Sequence, residues 1–140
     1  STKVAEDRED ARQVLHRAYW RLGVVQTRRD QAADAVAALE KAKALQATAE
    51  VLTDLGLARR KQGDIVRAEA EFRAALVQNG KLHSARLHLA STLAGTNRCE
   101  DAIRELALLP PDPQLQETTN RIKQRCDYDR QMKSRAQPAK

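Results

Sequence analysis

The chain has 140 residues, 31% of them charged and only 3% aromatic, with a net charge of +6. That length suffices for one ordinary domain, and nothing in the composition suggests two. No run approaches the ~18 apolar residues that a membrane span needs, no β-branched alternating run occurs, and neither a secretory leader nor an initiator Met precedes Ser1. Ala, Leu, Glu, Gln, Lys and Arg dominate, all good helix formers, so the expected class is all-α. A start at Ser1 reads as a piece of a longer chain.

Taken in order, residues 3–28 read as one long helix. Val4, Val14, Leu15, Ala18, Leu22 and Val25 give it an apolar stripe, and Glu6, Asp7, Glu9 and Asp10 suit its positive N-terminal end. A second helix is expected from Asp30 to about Gln46, with Ala32, Ala35, Val36, Leu39 and Ala42 facing inward. Residues 49–79 read as a helical hairpin broken at Gly63-Asp64, where Gly can turn left-handed and Asp can cap the next helix. Asn79-Gly80 supplies a left-handed stop. Residues 82–95 and 98–109 make a further hairpin about Thr96-Asn97. Pro110-Pro111-Asp112-Pro113 then breaks the chain before a helix from Gln114 to about Lys133 that carries Leu115, Ile122, Cys126 and Met132. Residues 134–140 read as a frayed basic tail.

Sliding the chain along itself exposes a period near 34. Leu55-Gly56 recurs as Leu22-Gly23 and Leu89-Ala90; the turn position reads Asp30, Gly63, Asn97. A small residue recurs at Ala35, Ala68 and Ala102, and a bulky one at Leu39, Phe72 and Leu106. This pattern resembles the tetratricopeptide repeat, in which each hairpin buries its face only against its neighbours. The resemblance implies an α-α superhelix: a helical extension (1–15), repeats at 16–48, 49–82 and 83–116, a capping helix (117–133) and a flexible tail (134–140). Gln26 and Arg59 depart from the family's frequent aromatic, Arg86 from a large apolar residue, and Gly80 from a closing Pro.

In that family the first helices of successive repeats line a concave groove that holds a partner's peptide or helix. The matching positions here are Arg17, Trp20, Arg21, Val24 and Arg28 in the first repeat. Glu50, Thr53, Asp54, Leu57 and Lys61, with Arg60 beside them, follow in the second, and Ser84, Leu87, His88 and Ser91 in the third. Arg121 and Arg125 extend the row onto the cap. Trp with flanking Arg is typical of residues that dominate interfaces; the alternative is that Trp20 packs inside as core. Family members that clamp the C-terminal carboxylate of heat-shock chaperones use Lys, Asn and Arg where this chain has Trp20, Val24, Asp54, Ser84 and His88; none fits, which argues against that partner. The expectation is a protein-binding scaffold, within a bacterial envelope assembly or export complex, whose partner is an acidic and apolar segment.

No phosphate loop, metal-ligand spacing or nucleophile motif is present, so neither enzyme nor cofactor is expected. His83 and His88, five apart, lie on different sides of a helix, and with His16 they read as solvated or half-buried. The acidic residues read as surface charge. Cys99 and Cys126 are either two small core residues or, since antiparallel packing brings their helices' opposite ends together, a disulfide between the third hairpin and the cap. A disulfide would imply a periplasmic or secreted setting, free thiols a cytoplasmic one. Residues 121–140 hold seven Lys and Arg against Asp127 and Asp129, five of the six net charges. That basic end leaves nucleic-acid binding as the alternative function, against which the scarcity of aromatics for base stacking argues.

Overall fold

A computed structural model describes residues 2–136, all seven of whose regular elements are α-helices. They are α1 (Thr2–Arg28), α2 (Ala32–Leu45), α3 (Ala49–Lys61), α4 (Ile65–Gln78), α5 (His83–Gly95), α6 (Cys99–Leu106) and α7 (Pro113–Ala136). Consecutive helices pack as hairpins, α1 on α2, α3 on α4 and α5 on α6, with α7 against α5 and α6. Composition predicts one domain, but the contacts separate two compact units, 1–82 and 83–140. Each unit is described by itself. The last helix runs to Ala136, past the predicted stop at Lys133 and into the segment expected to fray; residues 137–140 of that segment lie outside the described ones.

The repeat is written most plainly in its turns. Asp30, Gly63 and Asn97 all have positive φ, at 58°, 87° and 62°. Gly adopts this conformation freely, and Asp and Asn tolerate it better than most residues. In each turn the following amide reaches back five residues: Gln31 N to Gln26 O, Asp64 N to Arg59 O and Arg98 N to Leu93 O, each at 2.9 Å. This is the Schellman closure of a helix C-terminus. Asp30 therefore ends α1 rather than beginning α2, which starts at Ala32. The Asn79-Gly80 stop works differently from expectation. Asn79 is extended (φ −142°), and its side-chain oxygen accepts from the Lys81 amide at 3.1 Å. An Asx turn replaces the left-handed one. Thr48 and Asp64 cap α3 and α4 by accepting from Val51 N and Arg67 N, both at 3.2 Å.

The repeated small and bulky positions form the cores. Ala35, Ala68 and Ala102 are fully buried, as are Leu39 and Phe72, with Leu106 nearly so. Gly23 and Gly56 let each bulky residue sit close to the opposite helix. A Cβ at Gly56 would come within 2.5 Å of the Phe72 ring, and one at Gly23 would be driven into the Leu39 side chain. Two of the four positions that depart from the family pattern, Arg59 and Arg86, are filled by ion pairs. Arg59, nine-tenths buried, pairs with Glu40 of α2, with Glu71 of α4 at 3.8 Å and with Asp64 of the turn at 4.0 Å, while Lys43 reaches Glu71 at 3.2 Å. Arg86 pairs with Glu105 at 2.6 Å across the third hairpin. Glu71 is thus buried, not part of a solvated charged face.

The apolar stripe of α1 is exposed over most of its length. Val14, Leu15, Leu22 and Val25 are 42–60% exposed, and Val4 and Ala18 are exposed beside them. The helix instead buries His16, Gly23 and Thr27. His16, expected at or near the surface, donates from Nδ1 to the Ala42 carbonyl at 3.1 Å, and the Thr27 hydroxyl donates to Gly23 O at 2.8 Å. His83 and His88 are half-buried.

Candidate functional site

The first unit carries an open cleft of about 670 Å³ lined by Arg17, Trp20, Arg21, Val24, Val25 and Arg28 of α1 and Asp54 of α3. The helical repeat explains the set. Residues 17, 20, 21, 24 and 28 recur at three- and four-residue intervals and so share a side of α1. The α1–α2 turn then sends the chain back through α2 to α3, which lies against both helices and places Asp54 beside Trp20. The volume falls in the usual range for ligand sites.

Trp20 takes both placements that the sequence leaves open, partly in the core and partly at the surface. Its ring packs on the buried cluster of Ala35, Leu39, Leu55 and Ala58, while its exposed part floors the cleft. Its indole Nε1–H donates to Asp54 Oδ2 at 2.7 Å, so the half-buried ring is held at a fixed angle. Burial raises the Asp54 carboxyl above its ordinary 3.8; the Trp20 bond and nearby Arg28 pull the other way, and Glu50 adds to the rise. Among the described residues no carboxylate pairs with Arg17 or Arg21, and both are exposed. The cleft therefore has an apolar floor of Trp20, Val24 and Val25, one internal carboxylate already engaged, and three guanidinium groups at its edge.

The structure gathers Arg17, Trp20, Arg21, Val24, Arg28 and Asp54 around the cleft, and the residues that follow lie outside its lining. Thr53 is buried and donates to the Ala49 carbonyl at 2.8 Å, a bond within its own helix. Arg60 lies over the Phe72 ring, its carbon Cζ 6.0 Å from the ring centroid, where burial lowers its pKa. Lys61 closes the first turn, its Nζ donating to Thr27 O at 2.9 Å and pairing with Asp30 at 3.2 Å. Leu57 is half-buried on α3. Leu87 and His88 are half-buried on α5 of the second unit. Arg121 and Arg125, on α7, pair along their own helix with Glu117 (3.0 Å) and Asp129 (3.8 Å). Val25 was legible only as part of a stripe. The Trp20–Asp54 bond spans 34 residues; its one signal in the sequence is that an indole N–H near a core needs an acceptor.

In the second unit Cys99, first residue of α6, is bonded to Cys126 of α7, with Cα atoms 5.5 Å apart, inside the range that bridging allows. Among the described residues no cluster of three or more His, Cys, Asp or Glu could hold a metal, and no helix is long and apolar enough to cross a membrane.

No protein-family model and no curated protein matches the chain. Solved structures do. The type III secretion chaperone SycD of Yersinia enterocolitica, in complex with a peptide of the translocator YopD, aligns with a TM-score of 0.72 at 18% identity. The alignment covers 84% of this chain and 93% of that one. A second SycD structure, of the translocator chaperone as an alternative dimer, aligns with a TM-score of 0.73 at the same identity and coverage. At this identity the likeness shows the fold, which is all-α and built of tetratricopeptide-like hairpins.

Proposed function

We propose that the chain is a non-enzymatic module that holds a segment of another protein in the cleft of its first unit, as part of a bacterial secretion system. The observation that carries this reading is the pairing of an apolar floor, Trp20 with Val24 and Val25, with an edge of Arg17, Arg21 and Arg28. Guanidinium groups are suited to carboxylates, so the segment offers acidic residues around one or two apolar anchors. The anchor on Trp20 supplies most of the affinity, while the arginines set orientation and association rate. A structure of the same fold that holds a translocator peptide supports a peptide as ligand and secretion as the setting. The Cys99–Cys126 bond favours an oxidising compartment such as the periplasm.

Trp20 is the only tryptophan, so its emission reports directly on the cleft. Titrating acidic peptides that carry a single Leu or Phe anchor should shift that emission saturably. Trp20→Ala, followed by anisotropy of a labelled peptide, should cost about 2 kcal/mol or more of binding. Arg17→Ala should cost less and act mainly on the association rate, more so at low salt. Unchanged binding by Trp20→Ala, with loss on removing Arg130, Lys133 and Arg135, would move the site to α7 and favour the nucleic-acid reading. In that case a steep fall of affinity with salt would follow.

A further inference from the structure

We propose that the outward face of α1 pairs, antiparallel, with the same face of a second copy of this chain. Val14, Leu15, Ala18, Leu22 and Val25 occupy an arc of roughly 100° on the helix, as 3.6 residues per turn dictates. All five are exposed. A contiguous apolar stripe of this kind marks an interaction surface rather than scattered surface residues. Val14 and Ala18, with Arg17 and Arg21, also line a shallow depression of about 320 Å³ on this face.

The repeat itself indicates that a helix covers the stripe. Leu22 and Leu55 are equivalent positions, 33 residues apart. Leu55 is fully buried, in one cluster with Ala35 and Leu39 of α2, the preceding helix. Leu22 is 47% exposed. The same side chain in the same register thus has a helical neighbour in one repeat and water in the other.

The charges say which helix and in which direction. One edge of the stripe carries Glu6, Asp7 and Asp10 in the first half of α1, with Lys3 the one base among them, and Arg17, Arg21 and Arg28 in the second half. When two copies of a helix pack antiparallel about a two-fold axis, like edges meet with their directions reversed. The acidic half of each copy then faces the basic half of the other, twice. A parallel two-fold pair would set this edge against the opposite one, where Arg8 and Arg12 face the acids but Tyr19 and Gln26 offer the arginines no carboxylate. Only the antiparallel orientation gives both halves of the edge an opposite charge. This surface shares Arg17, Arg21, Val25 and Arg28 with the proposed peptide cleft, but the argument for it does not depend on peptide binding.

Sedimentation equilibrium of the whole chain tests this. The protomer mass is 15.7 kDa, and the expected result is reversible association to twice that value. Val14→Glu with Leu22→Glu should weaken association by about tenfold or more, with the helical circular dichroism retained because both side chains already face solvent. A second pair of variants is informative even if those fold poorly. Asp7→Lys with Asp10→Lys makes the edge predominantly basic, and Arg21→Glu with Arg28→Glu makes it predominantly acidic. Each alone should stay monomeric, and an equimolar mixture should dimerise. Added salt should weaken the parent dimer. A parent that is monomeric at every concentration, glutamate variants that are folded yet still dimeric, charge variants that fail to pair with each other, or association that strengthens with salt would each overturn the proposal.

Discussion

The first and last helices of the described chain make an instructive pair. α1 has 27 residues and α7 has 24, and each buries only three: His16, Gly23 and Thr27 in one, Thr119, Ile122 and Cys126 in the other. They are fastened by different means. α1 is seated by close approach and hydrogen bonds, with Gly23 under Leu39, His16 on the Ala42 carbonyl and Trp20 on Asp54. α7 packs through Ile122 and is bonded covalently to α6. They also differ in what they show to water. α1 exposes a row of aliphatic side chains, whereas the last turn of α7 carries Lys133 and Arg135, with Tyr128 and Met132 as its exposed large apolar groups. A thinly buried helix can end a stack when a crosslink holds it and its outer face is polar. One that keeps an apolar outer face is still open to a neighbour.

The largest effect expected is on α7. Cys99 and Cys126 are 27 residues apart, and on the chain-entropy account a loop of that size is worth about 3–4 kcal/mol. Cys99→Ser with Cys126→Ser should lower the stability of residues 83–136 by roughly that amount and speed amide exchange along α7, leaving α1 unchanged. If the α7 amides stay as protected as in the parent, Thr119 and Ile122 suffice to hold the helix, and the contrast between the two fastenings disappears.

An intermediate effect is expected at the glycines. Gly23→Ala and Gly56→Ala would press a methyl group into Leu39 and into Phe72, overpacking that costs about 1–3 kcal/mol each. Gly95→Ala, with nothing within 4 Å of its added carbon, is the control and should stay near neutral. Thermal melts of the three variants check this. An unchanged midpoint for Gly23→Ala would mean that α1 is not held by close contact with α2.

These positions show how far the sequence could be read. The Leu-Gly pairs, the small and bulky positions and the turn residues Asp30, Gly63 and Asn97 recur with one period, because each does the same local work in every hairpin. The class and the hairpins follow from that, and so does the cluster of Arg17, Trp20, Arg21, Val24 and Arg28, which needs only helical spacing. What periodicity hides is context. Leu22 and Leu55 read alike, and only the presence of α2 distinguishes them. Arg59 and Arg86 read as irregularities because their partners, Glu40, Glu71 and Glu105, stand 12 or more residues away in sequence. Thr53 and Arg60 fall on groove-facing positions by register, yet Thr53 turns to its own helix and Arg60 to the Phe72 ring.

The smallest effect, and the most specific to α1, concerns Asp54. Burial raises its carboxyl above the unfolded value near 3.8, so the folded chain keeps a proton that the unfolded chain has already released. The sign follows from linkage. The stabilisation is fully present below the unfolded value and is lost as pH rises through the raised folded value, so stability should fall with rising pH across that acid window. Asp54→Asn keeps a side-chain oxygen to accept from the Trp20 N–H but cannot titrate. It should therefore flatten the pH dependence over the window and leave the chain at least as stable as the parent at neutral pH. Denaturant midpoints at several pH values measure the first effect, and Trp20 emission reports whether the indole stays in place. The buried face of α7, made of Thr119, Ile122 and a disulfide-bonded cysteine, has nothing to titrate, so exchange protection there should not follow the same curve. Equal pH slopes in parent and Asp54→Asn would show that the carboxylate is not what couples α1 to α3.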